Sequence, residues 1–553
     1  MVLRQLAAAR WGNAHSLTAL ILVQLIMFAG VGAGGDFPVN DDWAYSHSVQ
    51  WLLDEHRVRL SDWIAMNLLP QTLAGGLVSA VFGYSFETLR HLTQATALAA
   101  GVAAYYWFRT ARFEPAHAFA GSMALVSMPC WPVLANSYMT DIYGLVLALW
   151  SATLFLKALQ QPKVGVVVAA TVIAALGVLE RQVVLVVPFA FLAAWLWTQR
   201  TWSWPTLAIG VVPLAAVFAA HTCYQFYLSQ GPGIPAAQQY AHGRVLPLLL
   251  KALRDQDGMR AWVVSNLTSM IGYLGLFAVG WAAWWGMRSA SARNRLALFA
   301  GAATMVAGAF FFEWFPPYQP NNVIDRAGIG PFTVFAAMTG PLAELDRSAG
   351  LLWKAAAIAA ALGAAAVLVV LGTTVVQVVR SGRDGAPERV FTFVIIVGYL
   401  CPFAVTGYFD RYLLFVLPFL FALWAGVWTP AASAPLQRSV AMAWMLFVTG
   451  LGVLATHDYF SWNRVRWELI RCAERMGATP ATLDGGFEYN GLRRFEEQPR
   501  VEVPGKSFWW VKDDVYIVAF SSVPGYEEIE TRPVKRWFSR TPAEVKLLRR
   551  GPP

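Results

Sequence analysis

Charge is what this sequence has least of. Only 14% of its 553 residues are Asp, Glu, Lys or Arg, where an ordinary soluble domain carries roughly 25%. With 57% hydrophobic residues and a mean hydropathy of +0.47, the chain has more apolar surface than a water-soluble core can hide. Cysteine is scarce too: Cys130, Cys223, Cys401 and Cys472 are all there is, and three of them lie inside apolar segments. That excludes a disulfide framework and a cysteine-based zinc site. Two further absences matter. No basic stripe with interleaved aromatics accompanies the net charge of +9, so nucleic acid is not an expected partner. No repeat relates two halves of the chain, a feature common among transporters.

What is present is a series of long apolar runs. A membrane span needs about 20 mainly apolar residues, and that criterion predicts about thirteen helices, near 16–34, 88–109, 116–135, 141–159, 163–179, 182–199, 203–228, 262–286, 296–315, 352–379, 391–407, 411–428 and 438–456. The first follows Arg4 and Arg10 and is read as an uncleaved anchor rather than a signal peptide. With the N-terminus in the cytoplasm, the short inward loops hold a run of bases, among them Arg109, Arg112, Lys157, Lys163, Arg380 and Arg389, as the positive-inside rule requires. Of the 19 acids before residue 457, only Glu114, Asp384 and Glu388 fall inside. An odd number of spans then places the C-terminus outside.

Two apolar stretches, 66–84 and 329–343, are broken by Pro and Gly and are read as interfacial or re-entrant pieces on the outer side. The first outer loop, about 35–87, thereby becomes a structured platform with a surface helix over Trp43–Leu53. Residues 457–553 hold 16 of the 42 Lys+Arg and 14 of the 33 Asp+Glu and read as a separate, soluble extracytoplasmic α+β domain. Trp462, Val465, Leu469, Ile470, Ala473 and Met476 predict a helix ended by Gly477 and Pro480. Two strands are expected at Phe508–Val511 and Val515–Phe520, and a final short helix at Thr541-Pro542-Ala543-Glu544, which has the form of a capping box. The fold class is thus an all-α polytopic membrane protein, residues 1–456, carrying a small C-terminal α+β domain, residues 457–553.

Four polar features share the outer membrane boundary: Asp41-Asp42, Asp141, Glu180-Arg181-Gln182 and Asp410-Arg411. Ionisable groups at such places are candidates for function. Two of them have a plainer reading beside them. Asp141 at the start of a helix is favoured by the helix dipole, and Asp410-Arg411 suits a local ion pair.

The order of these residues resembles the C-type glycosyltransferases, in particular the branch of protein O-mannosyltransferases and the aminoarabinose transferases that modify lipid A. The resemblance rests on Asn40-Asp41-Asp42-Trp43-Ala44-Tyr45, Asn67-Leu68-Leu69-Pro70, and the run from Phe82 to Arg90. It continues with Tyr138-Met139-Thr140-Asp141, and with Arg411-Tyr412-Leu413-Leu414 followed by Pro418. Asp42 stands where the branch usually has Glu, and Glu180-Arg181-Gln182 where it often has Lys-Gly.

The resemblance implies an inverting transfer of a sugar from a polyprenyl-phosphate donor to an acceptor at the outer face of a plasma membrane. Lipid, glycan and protein acceptors remain open. A carboxylate can remove the acceptor proton, and Asp41 is the candidate, with Asp42 and Asp141 positioning substrate. Arg90, Arg181 and Arg411 would stabilise the departing phosphate, and Tyr45 and Tyr412 would position substrate. No spacing demands a metal; a divalent cation shared by Asp41, Asp42, His47 and Asp141 is the open alternative. The rival readings are a transporter or flippase, and a non-catalytic envelope-assembly subunit.

This topology is directly measurable. A reporter fused after residue 460 is expected to sit outside the cytoplasm, and a cytoplasmic signal there overturns the assignment of 66–84 or 329–343 and the outer site with it.

Overall fold

The computed structural model describes residues 12–199, 203–285, 292–312, 322–325, 328–334, 350–382, 387–427, 435–496, 511, 513–538 and 543–551. The chain is an all-α, multi-pass membrane protein with a small C-terminal sheet. All thirteen expected segments are helical in whole or in part. Seven helices among the described residues are long and apolar enough to cross a bilayer, from Asn13–Val31 to Pro435–Arg475. Apolar side chains face outward where lipid would meet them: Val164, Val168, Val172 and Leu176 follow one another at every fourth position of the helix Val164–Glu180, each 43–76% exposed. Such a stripe lies on one helical face and is tolerable only against hydrocarbon. The third segment is split into Pro115–Val126 and Trp131–Ala135, where Pro129 and Pro132 interrupt the ladder of backbone hydrogen bonds.

The loop 35–87 contains the expected helix, here Asp42–Glu55. Residues 66–84 contain a second helix, Leu69–Phe82, whose 14 residues extend about 21 Å, short of the ~30 Å hydrocarbon core. It exposes Leu73, Leu77 and Val81 and packs on Asp42–Glu55 and on Val164–Glu180. The stretch 329–343 is described only to residue 334; Ile324–Asp325 and Gly328–Ile329 form a two-stranded antiparallel hairpin, and 335–343 lie outside the described residues.

The terminal helix Pro435–Arg475 runs without a break through the expected boundary at 456/457. Its 41 residues make a rod of about 60 Å, twice the hydrocarbon thickness, so the last span and the first helix of the C-terminal region are one element. The helix stops where Gly477 takes up a φ of 92°. Four strands follow in the order Leu483–Asp484, Tyr516–Ala519, Glu544–Arg550, Tyr526–Pro533. The expected strand at Val515–Phe520 is present. That at Phe508–Val511 falls outside the described residues except for Val511.

One expectation is corrected. The last element is a strand, Glu544–Arg550, and not a helix; Thr541 and Pro542 lie outside the described residues. Val545 and Leu547 alternate with Lys546, the period of a strand. They enter the main core while Leu548 joins Ile517 and Ala519 on the other face. Paired on both sides, this strand is central to the sheet, and tertiary pairing outweighs the local helix-start signal.

Candidate active site

Asp41 lies at the N-terminus of the first outer-loop helix, where an aspartate ordinarily caps its own backbone. Here its side chain makes no cap hydrogen bond. Instead Oδ1 accepts from the indole Nε1 of Trp63 at 2.9 Å, and Oδ2 stands 3.7 Å from Nη2 of Arg411. Burial raises its pKa above the ordinary carboxylate range; the Arg411 charge and the Trp63 hydrogen bond oppose that rise. The carboxylate is a stronger base than usual, held by one oxygen.

Asp141 and two arginines complete the cluster. Asp141 Oδ1 receives Nη1 of Arg181 at 2.6 Å, and its Oδ2 lies 3.8 Å from Nε of Arg411. Arg181 reaches it because the chain leaves the helix Val164–Glu180 in an extended conformation (φ −137°, ψ 124°). Gly144, one turn below Asp141, then lets the arginine pass: a Cβ there would sit 2.6 Å from Arg181 Cδ. Arg411 is the second residue of a short 3-10 turn, Asp410–Phe415. Its partner is not Asp410, whose carboxylate accepts from the backbone N–H groups of Val323, Ile324 and Arg411 at 2.7–3.0 Å and so anchors the hairpin. Arg411 is left between Asp41 and Asp141 at ion-pair distances only, and its Nε has no hydrogen-bond partner among the described residues. The ring of Tyr412 lies 5.3 Å from the Arg181 guanidinium and 5.5 Å from that of Arg411. Tyr45, one turn along from Asp41, feels the charges of Asp41, Arg411 and Asp141, and burial pushes its phenol well above its usual pKa.

Asp41, Asp141, Arg181, Arg411, Tyr45 and Tyr412 therefore meet. Arg90 and Asp42 do not join them. Successive residues on a helix point about 100° apart, and Asp42 turns the other way. It is 2% exposed and accepts from Val39 N at 3.4 Å. Burial pushes its pKa up to about 8, a rise opposed by the nearby Arg90 charge. Arg90 donates to the carbonyls of Ala33, Gly35 and Phe37 and lies over the rings of Phe37 and Phe460, which leaves it tying down the entry to the loop. His47 sits against Trp43 and Trp51, and burial lowers its pKa to about 4. Among the described residues no three His, Cys, Asp or Glu side chains come together as a metal site; the two acids that do converge face arginines.

Two features were not expected from the sequence. Trp63 carries no motif, and only the fold brings its N–H to Asp41. Glu488 and Arg466, from the C-terminal region, form a fully buried pair at 2.8 Å. Glu488 Oε1 accepts from the backbone N–H of Asn40 at 3.0 Å. The remaining motif residue, Glu180, accepts from Gln71 N at 2.9 Å and thus caps the helix Leu69–Phe82.

No family model matches the chain, and no curated protein does. Solved structures give likenesses of shape. ArnT from Cupriavidus metallidurans in the apo state aligns at 14% identity, 97% of this chain, 99% of that chain and a TM-score of 0.40. The same protein bound to undecaprenyl phosphate aligns at 15%, 99%, 100% and 0.38. The oligosaccharyltransferase of Archaeoglobus fulgidus aligns at 13% identity over 74% of this chain, with a TM-score of 0.33; the chain spans 56% of its length.

The placement of Arg90 separates it from Arg181 and Arg411. Arg90→Ala leaves three carbonyls without their charged donor and is expected to cost about 3–5 kcal/mol of stability, with faster hydrogen exchange across 33–39. An unchanged thermal midpoint and unchanged exchange would show that the loop entry does not depend on it.

Proposed function

We propose that the chain is an inverting glycosyltransferase that moves a sugar from a polyprenyl-phosphate donor to an acceptor hydroxyl at the outer face of the plasma membrane. In this reading the N-terminus is cytoplasmic, and residues 457–553 stand outside above the membrane domain 1–456. The observation that carries it is the pairing of Asp41 with Arg411 at the entrance of the outer loop: a base and a phosphate-binding cation 3.7 Å apart, each with bonding capacity to spare.

The reaction follows from that geometry. The acceptor oxygen attacks the anomeric carbon while its proton passes to Asp41 Oδ2. Trp63 holds Oδ1 and with it the direction of the second oxygen. The bond from the anomeric carbon to the phosphate oxygen breaks, and its electron pair leaves with the phosphate. That group departs as an anion and needs charge stabilisation, which Arg411 supplies with an Nε that makes no hydrogen bond among the described residues. Arg181, fixed by Asp141, is the second cation, and Asp141 orients both guanidiniums. Tyr45 and Tyr412 line the same space and position the sugar. A single displacement with one carboxylate inverts the anomeric centre, unlike the two-carboxylate retaining mechanism.

Two substitutions test the assignment. Asp41→Asn keeps size and removes basicity. Turnover of a polyprenyl-phosphate sugar should fall by about 10² to 10⁴, with donor binding near normal, and wild-type turnover would end the mechanism. Trp63→Phe removes a hydrogen bond that favours the ionised carboxylate, so the pKa of Asp41 rises and the acid limb of the kcat/KM profile moves to higher pH. An unmoved limb would mean that Asp41 is not the group titrating.

A further inference from the structure

The helix Phe487–Arg494 belongs to the outer domain by sequence, yet it lies against the active-site loop. Its Glu488 is fully buried and used on both oxygens. Oε2 accepts from Arg466 Nη1 at 2.8 Å and from Thr333 Oγ1 at 2.7 Å, and Arg466 Nη1 also donates to Thr333 Oγ1 at 3.0 Å. Oε1 is left for the N–H of Asn40, the residue immediately before Asp41. Asn40 has a φ of 53°, a left-handed conformation that asparagine tolerates better than most residues, and Glu488 holds its N–H from outside the loop. Phe487 N donates to Thr333 O at 2.9 Å and locks the same helix to the same segment.

A second support reaches Asp41 from the same helix. The Trp63 ring, which donates to Asp41 Oδ1, packs 5.5 Å from Phe487 and 5.6 Å from Phe495. Trp43 lies 5.9 Å from Phe487 and 5.3 Å from Phe495. Gly491 admits the Trp43 ring, since a Cβ there would fall 2.7 Å from Cζ2. Main chain and hydrogen-bond donor of Asp41 are thus both braced by one element of the outer domain.

We infer that Glu488, held by Arg466 and Thr333, is a positioning residue for Asp41, and that the C-terminal domain is a structural part of the active site. This rests on the reading of Asp41 as the base. Glu488 touches no reacting atom; it acts through the Asn40 peptide. It also acts through charge, because a second carboxylate nearby favours the protonated form of Asp41.

The test uses full-length protein with Glu488→Gln, Thr333→Val and Thr333→Ser. Glu488→Gln leaves Arg466 buried without its counter-ion and can fail to fold; Thr333→Val keeps the ion pair and carries the test in that case. In both variants hydrogen–deuterium exchange across residues 38–45 should quicken. Turnover should drop about 10- to 100-fold, as small misplacements of a catalytic group do, with KM for a polyprenyl-phosphate sugar within about twofold. Thr333→Ser should restore turnover. In Glu488→Gln the acid limb of kcat/KM should move to lower pH, because a like charge has been removed from beside Asp41. Unchanged exchange at 38–45 in folded Glu488→Gln and Thr333→Val overturns the inference. So does unchanged turnover in those variants beside an active wild type, or a loss of turnover matched by KM with the pH limb unmoved. A wild type that transfers no sugar from any such donor defeats the glycosyltransferase reading instead, and the exchange measurement still decides whether Glu488 holds the Asn40 peptide.

Discussion

A carboxylate at the edge of a hydrocarbon slab must find a cation or give up its charge, and the layout of the cluster follows from how each acid meets that demand. Asp141 meets it through Arg181 at 2.6 Å. To deliver that guanidinium, the fifth and sixth apolar segments part at an extended residue, and the neighbouring helix carries glycine at 144 where the arginine stem crosses. Arg411 arrives from the far end of the chain and is shared between Asp141 and Asp41. Two acids and two arginines balance, so the cluster is close to neutral when empty, and a bound phosphate would draw on Arg411, the cation with the loosest ties.

Adjacent residues divide their work because secondary structure points them apart. Asp41 looks toward Trp63 and Arg411, whereas Asp42 looks back to Val39 and into the core. In Asp410-Arg411 the acid anchors the hairpin at Val323 and Ile324, and the base is thereby freed for the cluster. A local ion pair between these two would have drawn Arg411 out of the cluster.

The apolar segments and the loop helix Asp42–Glu55 were legible in the sequence because they rest on local signals: hydropathy length, proline and glycine breaks, and helical spacing. The convergence of Asp41, Asp141, Arg181 and Arg411 was legible from their order and shared boundary. Arg90 was not distinguishable from Arg181 or Arg411, since all three are boundary arginines; only the turn at residues 33–37 shows that its donors are already committed to carbonyls. The last strand was misread because Thr541-Pro542-Ala543-Glu544 satisfies a local helix-start rule, while the demand for a central strand comes from Tyr516–Ala519 and Tyr526–Pro533, more than ten residues earlier in the chain. Trp63 had no signal at all, because its meaning depends on a contact 22 residues away in sequence.

The buried Arg466–Glu488 pair invites an explanation by stability, and the energetics argue against one. Taking two charges out of water costs about as much as their attraction returns, and well-packed apolar residues often serve a fold equally well in such places. The pair here is also imperfectly satisfied, since Nε and Nη2 of Arg466 lack hydrogen-bond partners among the described residues. An apolar replacement could fill the volume and hold the domain to the loop. It could not accept the N–H of Asn40, whose left-handed backbone sets the direction in which Asp41 leaves the helix. What the carboxylate provides and a leucine would not is a fixed acceptor at one point in space, with Arg466 and Thr333 fixing the acceptor in turn.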